Sequence, residues 1–182
     1  MELQKGNKMK KSMESGRSML EMMGVLAIIG VLSVGGFGMM TKMSNSRKTN
    51  AIMDEIGALA SKTRGIVREY DEADGYSGMG GFLVQSRAYP SEVEWDSTHN
   101  YFVGTDDVTY TVNKSTTDLF EIEVAGVTAE TCMEIVSANW GSVGTNGFVK
   151  LTVGNKTSSV PLGVGEASDA CNDDASIKLT YR

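Results

Sequence analysis

Twenty consecutive residues, Met22 to Thr41, carry no charge. No other feature constrains the fold as much. A helix needs about 20 apolar residues to cross a bilayer, whereas a secretory signal core needs about 7–15. The run is therefore read as a spanning helix. Upstream of it, Lys5, Lys8, Lys10 and Lys11 stand against Glu2 and Glu14. Positive charge beside a span marks the side kept in the cytoplasm. The leader then faces inward, and everything after Lys42 is exported. The exported side is oxidising in bacteria, so Cys132 and Cys171 can pair there.

The 182 residues suffice for one globular domain plus an appendage. The net charge is −6 and the basic residues form no patch, which argues against a nucleic-acid partner. Two cysteines and one histidine are too few for an ordinary zinc site, and no other metal or cofactor is expected. The 21 glycines and two prolines suggest tight turns rather than proline-rich disorder.

Beyond the run, Ile52, Ile56, Leu59 with Ala60, Thr63, Ile66 and Tyr70 recur in steps of three and four and form one helical face. Asp54, Glu55, Lys62, Arg64 and Arg68 fall on the other face. No proline interrupts Met19–Tyr70, so the run and this segment are expected to form one helix of about 50 residues, about 75 Å long. Its first half is apolar all round and its second half is amphipathic. The turn residues of "DEADGYSGMGG" end it near Asp71, and a connecting region follows to Asn100. The period then changes to two. "NYFVGTDDVTYTVN" reads as two short strands around a Gly-Thr-Asp-Asp turn. In "DLFEIEVAG", Leu119, Glu121 and Glu123 alternate with Phe120, Ile122 and Val124. "TAETCMEIVSANW" reads as a helix capped by Thr128, and "GFVKLTVG" and "SIKLTYR" as further strands. The fold class is α+β, with an antiparallel sheet packed on the amphipathic half of the long helix.

The stretch "SGRSMLEMMGVLAIIGVLSVGG" resembles the class III signal of type IV pilins and pseudopilins. In that family a prepilin peptidase cuts after a small residue on the cytoplasmic face, and the fifth residue of the mature chain is a glutamate followed by an apolar helix. The resemblance implies a cut between Gly16 and Arg17, with Glu21 in fifth place and N-methylation at Arg17. Arg17 itself departs from the apolar first residue usual in the family. The segment "FEIEVAGVTAETCMEIVSANWG" is similar to the type IVb pilin pattern, in which a helix bears the first cysteine of a disulfide. It implies a Cys132–Cys171 bridge. On this resemblance the chain divides into a leader (1–16), a membrane and filament-core helix (17–41) and a head (42–182). The head comprises an amphipathic helix (42–70), a connecting loop (71–100) and a sheet with a disulfide-closed C-terminal region (101–182).

Each motif has a plainer reading beside the functional one. Glu21 suits a helix N-terminus, whose dipole favours negative charge by about 0.3–1 kcal/mol. In the family reading it instead meets the new amine of a neighbouring subunit, which sets register, because an unpaired acid in an apolar bundle costs about 3 kcal/mol. Gly16 is otherwise an ordinary loop glycine. Gly35, Gly36 and Gly38 allow close helix packing or mark a weak point in the helix. The cysteines are a structural bridge or two buried thiols. Asp169, Asp173 and Asp174 lack calcium-loop spacing and read as a solvated acidic loop. His99 reads as a surface or turn residue, and "GYSGMGG" as a loop rather than a phosphate cradle.

The resemblance implies a structural subunit and not an enzyme. The expected partners are further copies of itself, the prepilin peptidase, the pilus assembly machinery and the inner membrane before assembly. The expected final location is an extracellular filament serving adhesion or aggregation. A pseudopilin of a type II secretion system is one alternative. A binding protein on an uncut membrane anchor, consistent with Arg17 at the cut site, is the other.

Overall fold

The structure is a computed structural model and describes residues 14–71, 78–116, 118–141, 147–172 and 175–182; for 14–21 and 28–43 the backbone alone is described. The chain divides into two compact units, Met1–Ser44 and Asn45–Arg182. Backbone is helical over α1 (Glu14–Ile66), and continuous description of its side chains begins at Ser44. The apolar half expected of this helix therefore falls largely outside the described side chains. In the first unit, the described side chains at 22–27 are all exposed.

The second unit is α+β, as the change of period implies. Its helical part buries Ile52, Ile56, Leu59, Ala60 and Thr63, one stripe at steps of three and four. The helix stops at Ile66 rather than near Asp71. The chain then turns through Val67 N–H to Thr63 O (2.8 Å) and Glu69 N–H to Ile66 O (2.9 Å). This turn buries Val67 and leaves the expected core residue Ile66 half-buried.

Among the described residues seven strands form one antiparallel sheet: β1 (Glu94–Asp96), β2 (Tyr101–Val103), β3 (Thr109–Thr116), β4 (Leu119–Ala125), β5 (Phe148–Val153), β6 (Lys156–Ser158) and β7 (Ile177–Tyr181). Their spatial order is β1-β2-β3-β4-β7-β5-β6. In β4 the alternation is as read from the sequence. Phe120, Ile122 and Val124 are buried, while Glu121 and Glu123 lie on the outer face beside Lys178 of β7. The inner face of the sheet joins the helix stripe in one core that includes Phe102, Tyr110, Phe120, Ile122, Leu151, Ile177 and Leu179. The turn between β2 and β3 is a short 3-10 segment, Thr105–Asp107.

Among the described residues three further helices are present: α2 (Gly78–Gln85), α3 (Ala129–Ser137) and α4 (Val164–Ala170). The sequence reading took the α2 region as loop, and the correction has a packing cause. Three glycines depress helix propensity, yet Met79, Phe82 and Leu83 are buried in the core and hold the turn in place. Gly80 is required there, because a Cβ on it would stand 2.6 and 2.8 Å from ring atoms of Trp95. Gly80→Ala is expected to destabilise the head by about 1–3 kcal/mol, the usual cost of overpacking. Denaturant unfolding would show this, and an unchanged midpoint would mean that Trp95 moves aside freely.

Candidate functional site

Gly16, Arg17 and Glu21 lie on the helical backbone of α1, and their side chains are outside the described residues. One step beyond Glu21, Met22, Met23, Val25 and Leu26 are 66, 69, 55 and 65 % exposed. Four large apolar side chains in five residues form an uncovered surface of the kind that marks interaction sites. Among the described residues no helix is long and apolar enough to cross a membrane. The expected span Met22–Thr41 is described in side chain only over 22–27, so it lies mostly outside them, as do Gly35, Gly36 and Gly38.

Cys132 and Cys171 are joined by a disulfide with a Cα–Cα distance of 5.7 Å. The two helices that carry them are built locally. Thr128 caps α3 by accepting from Thr131 N–H at 3.3 Å, which satisfies one of the four unpaired donors of a helix start. Ile135 and Val136 bury beside Cys132. Cys171 sits at the C-cap of α4, where its N–H donates to Ala167 O at 2.9 Å. Leu162 N–H donates to Val136 O at 3.0 Å and fixes the segment before α4 against the end of α3.

The sequence reading placed Glu55 on the polar face, and the structure corrects this. Its residue is 5 % exposed, and its carboxylate accepts from Tyr110 OH at 2.5 Å, from Thr105 Oγ1 at 2.6 Å and from Thr105 N–H at 3.1 Å. Burial foremost, and then the Glu55 carboxylate, pushes the Tyr110 phenol well above its usual range, so it stays a donor. Gly104 makes room, since a Cβ there would collide with the Glu55 carboxylate and the Tyr110 ring. Two surface contacts adjoin this joint: Lys48 with Asp106 at 2.5 Å, and Asn45 Nδ2 to Glu130 at 3.4 Å. Together they tie α1, from Asn45 onward, to the β2–β3 turn and the start of α3. The available signal was spacing. Glu55 follows Ile52 by three and precedes Leu59 by four, which puts an acid inside the apolar stripe.

Asp96, His99 and Lys178 have local partners. His99 Nδ1 meets Asp96 Oδ2 at 2.7 Å and its ring stacks on Tyr101, at the exposed turn between β1 and β2. The hydrogen bond from His99 holds the Asp96 carboxyl below its ordinary range. Lys178 lies 3.4 Å from Glu123 and 3.5 Å from Glu121, and chiefly the Glu123 charge raises its pKa. Asp169 is exposed on α4, while Asp173 and Asp174 lie outside the described residues. Among the described residues no group of three or more His, Cys, Asp or Glu side chains is placed to hold a metal ion.

A helix laid on an antiparallel sheet, with its C-terminal region closed by a disulfide, defines a pilin-like head. The family model described as PilS N terminal matches residues 46–182, and the chain belongs to this type IV pilin-related family. The family is one of structural domains rather than of enzymes. No curated protein matches the chain.

Proposed function

We propose that the chain is the structural subunit of a type IV pilus, of the type IVb kind, made as a precursor and cut between Gly16 and Arg17. The apolar segment holds it in the inner membrane. Assembly then moves it into an extracellular filament whose core is built from such segments. The observation that carries this reading is the family match over 46–182, directly behind a basic leader, a glycine, a glutamate five residues on and an uncharged run. The exposed apolar surface at 22–27 supports it, because such a surface needs lipid or neighbouring helices to cover it. The Cys132–Cys171 bridge supports both export and the IVb assignment.

In the filament, Glu21 of one subunit pairs with the Arg17 amine of its neighbour. Glu21→Val is expected to leave cleavage intact and to lower filament yield about tenfold or more, since an unpaired charge in an apolar bundle costs about 3 kcal/mol. Wild-type filament yield from that variant would refute the pairing. The reading as a whole is tested by intact mass of protein sheared from cells, measured without reduction. A chain starting at Arg17 and two hydrogens light is expected. A full-length chain that stays with the membrane would overturn the reading in favour of a permanently anchored protein.

A further inference from the structure

A groove of about 380 Å³ runs along the head between α1 and the end of α3, lined by Gly57, Ala60, Ser61, Arg64, Trp140 and Tyr181, with Asn139 at its edge. Small residues on α1 open it, and a Cβ built on Gly57 would meet nothing within 4 Å among the described residues. Trp140 is a fixed wall, because its Nε1–H donates to Ile135 O at 2.9 Å. The Tyr181 hydroxyl is fully buried at this lining and has no hydrogen-bond partner among the described residues. Buried hydroxyls without partners are uncommon in folded proteins, and each calls for an explanation. Burial raises the Tyr181 pKa and the nearby Arg64 charge lowers it, with a net rise, so the hydroxyl keeps its proton and can donate.

A second surface of the same head has the opposite character. Val160 and Val164 are 63 and 82 % exposed, the remaining large exposed apolar residues among those described. The segment that bears them is held in shape by Leu162 N–H on Val136 O and by the disulfide at Cys171. Residues 157–176 carry Glu166, Asp169, Asp173 and Asp174 and no lysine or arginine, whereas residues 61–68 carry Lys62, Arg64 and Arg68 and no acid. Arg64 is exposed at the groove, and Glu166 and Asp169 are exposed beside the valines. Complementary charge selects partner and register.

We infer that the α1 groove of one copy receives the Val160–Asp169 segment of the next copy, valines against Gly57, Ala60 and Trp140, and a carboxylate of α4 against Arg64, over the buried Tyr181 hydroxyl. This rests on the subunit reading above and adds a specific head-to-head contact to it. The contact joins two different surfaces, so it is heterologous, and repetition without closure generates a helical array rather than a dimer.

The test uses the full-length chain with Ser61→Cys and Val164→Cys together, assembled in cells, sheared, oxidised and run without reduction. A ladder of dimers, trimers and higher species is expected, absent from either single variant. Filaments of the double variant that run as monomers would overturn the contact. Should the double variant not assemble, filaments of the Ser61→Lys variant treated with a zero-length carbodiimide decide the matter. A peptide linking position 61 to Glu166 or Asp169 in the oligomer bands supports the contact, and its absence overturns it. Failure of the wild-type chain to form any filament would overturn the subunit reading instead, and this contact with it.

Discussion

Glu55→Ala is expected to lower the stability of the head by about 3 kcal/mol. The substitution removes the acceptor of the buried Tyr110 OH and of the half-buried Thr105 Oγ1 and Thr105 N–H. Each buried donor left without a partner costs about 1–3 kcal/mol, and bonds to a charged group are the stronger kind. Some relaxation toward solvent offsets part of the sum. Glu55→Gln keeps one oxygen acceptor and is expected to cost about half as much. The natural probe is urea unfolding followed by tryptophan fluorescence, because Trp95 and Trp140 both lie in the Asn45–Arg182 unit. A midpoint for Glu55→Ala within about 0.5 kcal/mol of wild type, the range of ordinary surface changes, would show that the joint contributes nothing.

Opening the Cys132–Cys171 bridge is the larger perturbation. The two cysteines are 39 residues apart, and closing a loop of that length restricts the unfolded chain by about 4 kcal/mol in the chain-entropy account. Typical domains have a total stability of about 5–15 kcal/mol, so the paired Cys132→Ser and Cys171→Ser variant should unfold at much lower urea. The loss should also be uneven. The segment before α4 is held by one backbone bond to α3, whereas Ile122 sits in the middle of the sheet. Hydrogen exchange should therefore lose protection at Leu162 and Cys171 well before Ile122. Uniform loss across all three would mean that the bridge acts only through the unfolded state.

The sequence carried the parts of this head that follow a clear period. The alternation through β4, the cap at Thr128 and the stripe Ile52–Leu59 were all legible, because each is a local pattern with a local cause. What escaped depends on distant contacts. β1 and β6 have three residues each, too short for a period, and exist as strands because β2 and β5 pair with them. In α2 tertiary burial overrides three glycines. α4 is seven residues long, opens at Gly163 without a side-chain cap, and depends on the disulfide and on α3. Glu55 was misassigned because a charged residue inside an apolar stripe is ordinarily solvated. Its burial depends on Tyr110 and Thr105, which lie 55 and 50 residues further along the chain.

The strand order has a consequence for how the head comes into being. β4 and β5 share no hydrogen bonds, and β7, which follows both in the chain, is the piece that joins them. A chain made from its N-terminus therefore first holds a four-stranded sheet and a separate hairpin, each with a bare edge toward the missing strand. Only when Ile177–Tyr181 emerge can Ile122 and Leu151 be bridged through Leu179. Nascent heads are thus incomplete until Ile177–Tyr181 are made, and a ribosome that stops before Ile177 leaves two sticky half-sheets in place of one domain.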